Sequence, residues 1–346
     1  MWASGDGCYD HTMNDLPDST EVGVLGVRHL KRFWARTLGS FSGAAAPKTN
    51  ADWSADVTLL HGLRIDLREA LGYLSTQRPD FARFEAWVLE KNGGRLDPLR
   101  MERLNLGLSG GVPEVEIACG PVLSAADLAF WEENGYVVVH DAVPPGNCRA
   151  AAQAIYDFLG MDPERPDTWY GGPQGHSIWI PLLQDPAFWA NRESPRIQRA
   201  FAQLWGRTDM WCSVDQGGMN PPERPDWPFP GPHLHWDVSL DLPVPFGVQG
   251  ILYLTDTAAD QGAFQCVPGF HRRIEDWIRS LPPGADPRLQ DLAALGVLPI
   301  AGRAGDLIIW HHALPHGSSP NRGRVPRVVQ YIRMCPSQFE VREVWR

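Results

Sequence analysis

The C-terminal part of the chain is cut into short strand-like segments, and no other feature of the sequence constrains the fold as strongly. Residues 211–215, 233–240, 246–254, 262–267, 306–310 and 328–334 are rich in β-branched and aromatic side chains and are bounded by Gly, Pro or Asp. Segments this short and this closely spaced predict an antiparallel barrel or jelly roll. One stretch interrupts the series: residues 271–295 read as two short helices around Pro282-Pro283-Gly284, an insertion over one mouth of the barrel.

Upstream the periodicity is helical. Leu63, Leu67, Leu71 and Leu74 fall at i, i+4, i+8 and i+11, one stripe of a helix. A second helix carries Phe81, Phe84, Trp87 and Val88 and stops at Asn92-Gly93-Gly94, and a third covers residues 98–106. Residues 55–115 are therefore expected to form a helical subdomain. Residues 1–20 and 40–52 are rich in Gly, Ser, Asp, Asn and Ala, so 1–54 reads as tail and linker around one helix over 21–37. From Pro121 the texture changes. Ser124 caps a helix that runs to Asn134 and ends at Gly135, followed by a strand over 136–140 and a helix over 146–159. These elements open a domain spanning 121–346.

Composition excludes some partners. A net charge of −10 argues against nucleic acid and against anionic membranes, and the longest apolar runs are too short to span a bilayer. The first residues lack a basic start and an apolar h-region. The six cysteines (Cys8, Cys119, Cys148, Cys212, Cys266, Cys335) show no paired spacing. Reduced thiols and a cytoplasmic location are expected.

Chemistry concentrates in two places. In a strand, His235 and Asp237 point to one face and Trp236 to the other. An imidazole and a carboxylate side by side can take two positions on a metal. A histidine from another strand would complete a facial set and leave open positions for a cosubstrate and dioxygen. The second place is the Gly305-Asp306 turn, a buried strand to Trp310, and then His311-His312-Ala-Leu-Pro-His316-Gly-Ser318. Eleven residues after His316, Arg327 starts the next strand. A guanidinium fork there suits the far carboxylate of a dicarboxylate, and Ser318 could add a hydroxyl donor. At this level three alternatives stay open: His233 in place of Asp237, His311 or His312 in place of His316, and purely structural histidines. Trp236, Tyr253 and Trp310 are candidates to line a substrate pocket.

The sequence resembles the phytanoyl-CoA dioxygenase family of iron(II)/2-oxoglutarate oxygenases. The resemblance is carried by Phe130-Trp-Glu-Glu-Asn-Gly-Tyr-Val-Val-Val139, His235-x-Asp237 and Gly262-Ala-Phe-Gln-Cys-Val-Pro-Gly-Phe-His271. The Gly305-Asp306 turn, His316-Gly-Ser318 and Arg327 follow in order. It spans roughly residues 121–334 and has no counterpart over 1–110. It implies a mainly β fold with α elements: a double-stranded β-helix (jelly-roll or cupin-like) core with flanking helices and an N-terminal helical extension. It further implies His235, Asp237 and His316 as iron ligands, with Arg327 and Ser318 on 2-oxoglutarate.

The implied reaction consumes dioxygen and 2-oxoglutarate, releases succinate and carbon dioxide, and oxidises a small organic molecule. A carboxylate at the third protein ligand position leaves no place for chloride, which favours hydroxylation over halogenation. The GC-biased composition and the helical extension suit a natural-product tailoring step. That extension is expected to act as a lid, a homodimer surface or a carrier-protein dock. Two other classes carry different expectations: a catalytically silent barrel that binds or scaffolds, and a cupin-like metal enzyme that does not need 2-oxoglutarate.

Overall fold

Asp and Thr side chains placed just ahead of apolar runs punctuate the N-terminal third. The computed structural model describes residues 16–43 and 49–342, so the tail assigned to 1–20 falls largely, and the linker over 40–52 partly, outside the described residues. Five helices come first: α1 (Leu30–Phe41), α2 (Asn50–Gly62), α3 (Leu67–Gln77), α4 (Phe81–Lys91) and α5 (Pro98–Leu108). Thr49 and Asp52 form a capping box on α2, while Asp66, Asp80 and Asp97 accept the orphan amides at the starts of α3, α4 and α5. These caps overrule periodicity at one point. The Leu63–Leu74 stripe is not one helix, because α2 ends at Gly62, Arg64 turns at φ 55°, and Asp66 starts α3. Leu63 still packs with Leu74 in the helical core beside Phe33, Leu59, Phe84 and Leu104. The first helix also begins later than residues 21–37 suggested, at Leu30.

The rest of the chain alternates helices and short strands. In order these are α6 (Ala125–Asn134), β1 (Tyr136–Val139), α7 (Pro145–Leu159), β2 (Trp179–Ile180), α8 (Pro186–Arg192), α9 (Pro195–Trp205), β3 (Met210–Cys212), β4 (Gly217–Asn220), β5 (Val248–Tyr253), β6 (Phe264–Cys266), α10 (Ile274–Ser280), β7 (Leu298–Pro299), β8 (Leu307–His311), β9 (His316–Ser318), β10 (Arg327–Ile332) and β11 (Met334–Pro336). The large sheet has the order β1-β8-β5-β10-β4-β2, a second sheet β7-β6-β9, and β3 pairs with β11. All these pairings are antiparallel. The insertion over 271–295 contains α10 and short 3-10 turns at Pro287–Leu289 and Leu292–Leu295.

Strand alternation divides the large sheet into two apolar faces. Leu307, Ile309, Val248, Leu252 and Val328 pack against α7, α8 and α9. Ile308, Trp310, Ile251, Tyr253 and Val329 face the small sheet through Phe264 and Cys266. The space between the sheets is the candidate site.

The expected strand over 233–240 is absent, apart from an isolated bridge from His235 to His316. A side chain takes the place of a neighbouring strand here. Arg288, from the insertion, donates to the carbonyls of Trp236 and Val238 at 2.7 and 2.6 Å.

Candidate metal centre

Two backbone contacts bring the candidate ligands together. His235 and His316 exchange amide–carbonyl hydrogen bonds of 2.9 and 3.0 Å across their bridge, which places their rings 4.7 Å apart. The approach depends on Gly317, since a Cβ there would lie 2.6 Å from the carbonyl oxygen of His233. Each ring then orients in the same way. His235 Nδ1 lies 2.7 Å from the His233 carbonyl and His316 Nδ1 3.0 Å from that of Leu314, so both Nδ1 atoms donate. Both Nε2 atoms are left for a common target, the arrangement that carbonyl-anchored histidines adopt around a metal.

Asp237 is that target. Its Oδ1 lies 3.5 Å from His235 Nε2 and its Oδ2 3.3 Å from His316 Nε2. The ligand atoms of the three residues all fall within 4.8 Å of one another. Gln249 on β5 donates to the same carboxylate at 2.9 Å and fixes its rotation. Burial would raise the Asp237 carboxyl, but hydrogen bonds from His235 and His316 outweigh it and hold the group far below the usual carboxylate range. The His235 imidazole is pulled down by burial and more than restored by Asp237, ending above its ordinary value. Without a cation the two Nε2–H groups pair with the Asp237 carboxylate; once those protons leave, one anionic oxygen and two imidazole nitrogens converge as the donor set of a divalent first-row metal.

The other histidines go elsewhere. His233 is exposed and sits edge-on to Phe229, 5.5 Å away. His311 accepts from the Ala313 amide and lies against His271 and Phe246. His312 is half-buried beside the Gly247 backbone. His271 reaches the Glu132 carbonyl.

A second polar group lies deeper. Arg327 opens β10, and its side chain is fully buried (0% exposed). Nη1 donates to Ser318 Oγ at 2.9 Å, while Nε and Nη2 have no partner among the described residues. A buried guanidinium with two unsatisfied donors carries a large desolvation cost unless an anion completes it. Two parallel N–H donors fit a carboxylate. The residues therefore suit a dicarboxylate placed between Arg327 and the triad.

A cavity of about 530 Å³ opens in front of this constellation. Among the three expected pocket residues, Trp310 lines it, 5.0 Å from the His316 ring. Trp236 packs instead against Phe270 and Trp277 and donates to the Ala313 carbonyl. Tyr253 is buried deeper, where its hydroxyl donates to the Ile300 carbonyl and accepts from the Phe264 amide. Sequence reasoning missed Gln249 and Arg288, whose partners are distant in the chain. It also missed α2, which supplies Trp53, Val57, Leu60 and His61 to the cavity wall.

A model of the family described as phytanoyl-CoA dioxygenase matches residues 131–329. That segment contains the triad, Ser318 and Arg327 and leaves out α1 to α5. A putative phytanoyl-CoA dioxygenase of Dictyostelium discoideum is 22% identical over 260 residues, covering 60% of this chain and 74% of that protein. Ava biosynthesis cluster protein O of Aspergillus versicolor is 22% identical over 240 residues, 60% of this chain and 77% of that one. Similar solved structures include the non-haem α-ketoglutarate-dependent carbocyclase SnoK from nogalamycin biosynthesis, with TM-score 0.44, 18% identity, and coverage of 65% of this chain and 90% of that one. HygX from Streptomyces hygroscopicus, with nickel and 2-oxoglutarate bound, gives TM-score 0.45 and 17% identity over 62% and 88% of the two chains.

Proposed function

The chain belongs to the phytanoyl-CoA dioxygenase family of 2-oxoglutarate-dependent non-haem iron oxygenases, and from that premise we propose that it hydroxylates a small organic molecule in a natural-product tailoring step. In this reading His235, Asp237 and His316 hold iron(II), Arg327 and Ser318 anchor 2-oxoglutarate, and the two facing sheets form a double-stranded β-helix. The observation that carries it is the buried Arg327 guanidinium, with Nε and Nη2 unpaired and Nη1 bonded to Ser318, which lines the same cavity as the triad. The similarity to an Aspergillus versicolor biosynthesis cluster protein supports the tailoring assignment.

Iron(II) and 2-oxoglutarate, when bound, supply the oxidative decarboxylation that activates dioxygen. The chain supplies orientation and exclusion of water. His233 and Leu314 carbonyls keep both ligand imidazoles in the Nδ1–H tautomer, and Gln249 steadies Asp237. Because Asp237 fills the third protein position, no place is left for a halide, and hydroxylation is the expected outcome. Phe264, Trp310 and Ile251 give the cavity an apolar lining near the triad.

Anaerobic addition of iron(II) and 2-oxoglutarate to the protein is expected to produce a visible charge-transfer band and, on exposure to oxygen, succinate. Asp237→Ala and His316→Ala are each expected to remove both signals while the protein stays folded by circular dichroism. Full succinate formation in either variant would sink the ligand assignment.

A further inference from the structure

Asp237 stands at a junction. The cavity in front of the triad adjoins a second cavity of about 380 Å³, with Trp53, Val57, Asp237 and Arg333 lining both. The second cavity is bounded by Trp205, Phe246, Val248 and Phe339. An elongated molecule with an apolar body fits this shape.

Among the described residues two cations on the cleft wall, Arg68 and Arg333, have neither hydrogen bond nor ion pair, and Arg68 is exposed to solvent beside Asp66. Asp56 is paired with Arg36 and His29. Asp66 caps α3, with the Arg68 charge close by, and Asp215 accepts from the Gln216 amide. Glu340 pairs with Arg342. Arg333 follows β10, and its carbonyl accepts from the Ser213 amide and hydroxyl, which pins the backbone. Its half-buried side chain has neither hydrogen bond nor ion pair among the described residues, and Nε is shut away from water with no acceptor. His61 and His312 lie near it and cannot share its charge productively: burial, with the Arg333 charge adding to it, keeps each neutral down to about 3.

We propose that Arg333 anchors a carboxylate on the substrate, which is a monoanionic organic acid with its apolar body lying along the cleft past Asp237. A guanidinium fork binds both oxygens of a carboxylate. A single half-buried guanidinium, with Arg68 left in solvent, suits one negative charge better than a phosphate dianion. Binding the acid at Arg333 brings the adjoining part of its body alongside Asp237, where the oxidation takes place. Arg333 lies four residues beyond the family match, so the preference belongs to this chain's own surroundings. The inference rests on the proposed active site only for the position of the oxidation.

The test uses the full chain loaded with nickel(II) and saturating 2-oxoglutarate, so that Arg327 is already occupied. 2-Naphthoate and 2-naphthamide, which share rings and differ in charge, are titrated by calorimetry. Naphthoate is expected to bind at least tenfold more tightly. Arg333→Gln should erase that preference and leave the amide affinity unchanged, and Arg333→Lys should keep part of it. Parent protein without the preference, including no detectable naphthoate binding, would overturn the proposal, as would an Arg333→Gln variant that retains it. Competition by inorganic phosphate at equal concentration would overturn the monoanion assignment. Failure of 2-oxoglutarate itself to bind would count against the active-site reading alone, since the loss of the naphthoate preference in Arg333→Gln can still be read without it.

Discussion

Arg327 concentrates the energetics of the site in one side chain. It is fully buried, and only Nη1 is satisfied by the protein, through Ser318. Removing one member of a buried, hydrogen-bonded charge pair costs about 2–5 kcal/mol, or roughly 30- to several-thousand-fold in affinity. Arg327→Gln is therefore expected to weaken 2-oxoglutarate binding by at least about 30-fold, and Arg327→Lys to lose much of it because a point charge cannot replace the fork. Calorimetry with nickel(II) in place of iron reads this directly; unchanged affinity in both variants would remove Arg327 from the cosubstrate site. Short spacings paired His235 with Asp237 and His316 with Ser318 and Arg327, and the family resemblance joined the two motifs; the fold brings His235, Asp237 and His316 together and bonds Arg327 to Ser318. Gln249, Arg288 and Arg333 were not legible in the sequence, since each acquires its meaning from a partner or a vacancy that only tertiary packing creates. Trp236 misled for the opposite reason. Although residues 233–240 form no strand, Trp236 does lie away from Asp237, and that side is core.

At the scale of elements, the roof of the cleft depends on a buried polar network between α1 and α2. Arg36 pairs with Asp52 and Asp56, Arg32 with Asp52, and His29 with Asp56, with Asp56 only 1% exposed. Asp56→Ala leaves the Arg36 charge buried without its main partner, and a loss of about 3–5 kcal/mol is expected by denaturant unfolding. Asp52 adds a pH dependence. Burial works to raise its carboxyl, but bonds from Arg32 and Thr49 prevail and lower it from 3.8 to about 2. A depressed folded value means that this stabilisation is complete above about pH 4 and is lost as the pH falls through about 2. Melting temperature is expected to drop across that window, and Asp52→Asn should flatten the drop. A parallel shift of the whole curve would assign the effect to other groups. The helices were readable because Asp and Thr caps mark their starts, although the leucine stripe concealed the break at Arg64. The strands β2, β4 and β9 were not readable. They have two to four residues, and β4 begins with two glycines whose Cβ atoms would strike Phe188 and Val329. Packing rather than propensity defines such strands.

At the scale of the whole molecule, the apolar core of the helical layer takes in one strand residue, Trp211. Trp211 of β3 belongs to the same apolar cluster as Leu59, Leu63, Met101 and Leu104. Its indole donates to Ser337 just after β11, and the Ser337 carbonyl accepts from Thr58 of α2. The Arg103 guanidinium of α5 covers its ring at 5.3 Å. Three remote parts of the chain thus meet at one residue, and α2 cannot leave without opening both this core and the cavity beside His235, Asp237 and His316. Differential scanning calorimetry of the full chain is accordingly expected to show one transition, with Trp211→Ala lowering stability by about 3–5 kcal/mol across the whole molecule. Two resolved transitions, the first of which releases α1 to α5 while 2-oxoglutarate binding persists, would show that the helices are an appended module. A single transition would instead make α2 a structural wall of the active site, because the oxygenase core would lack a closed cleft without it.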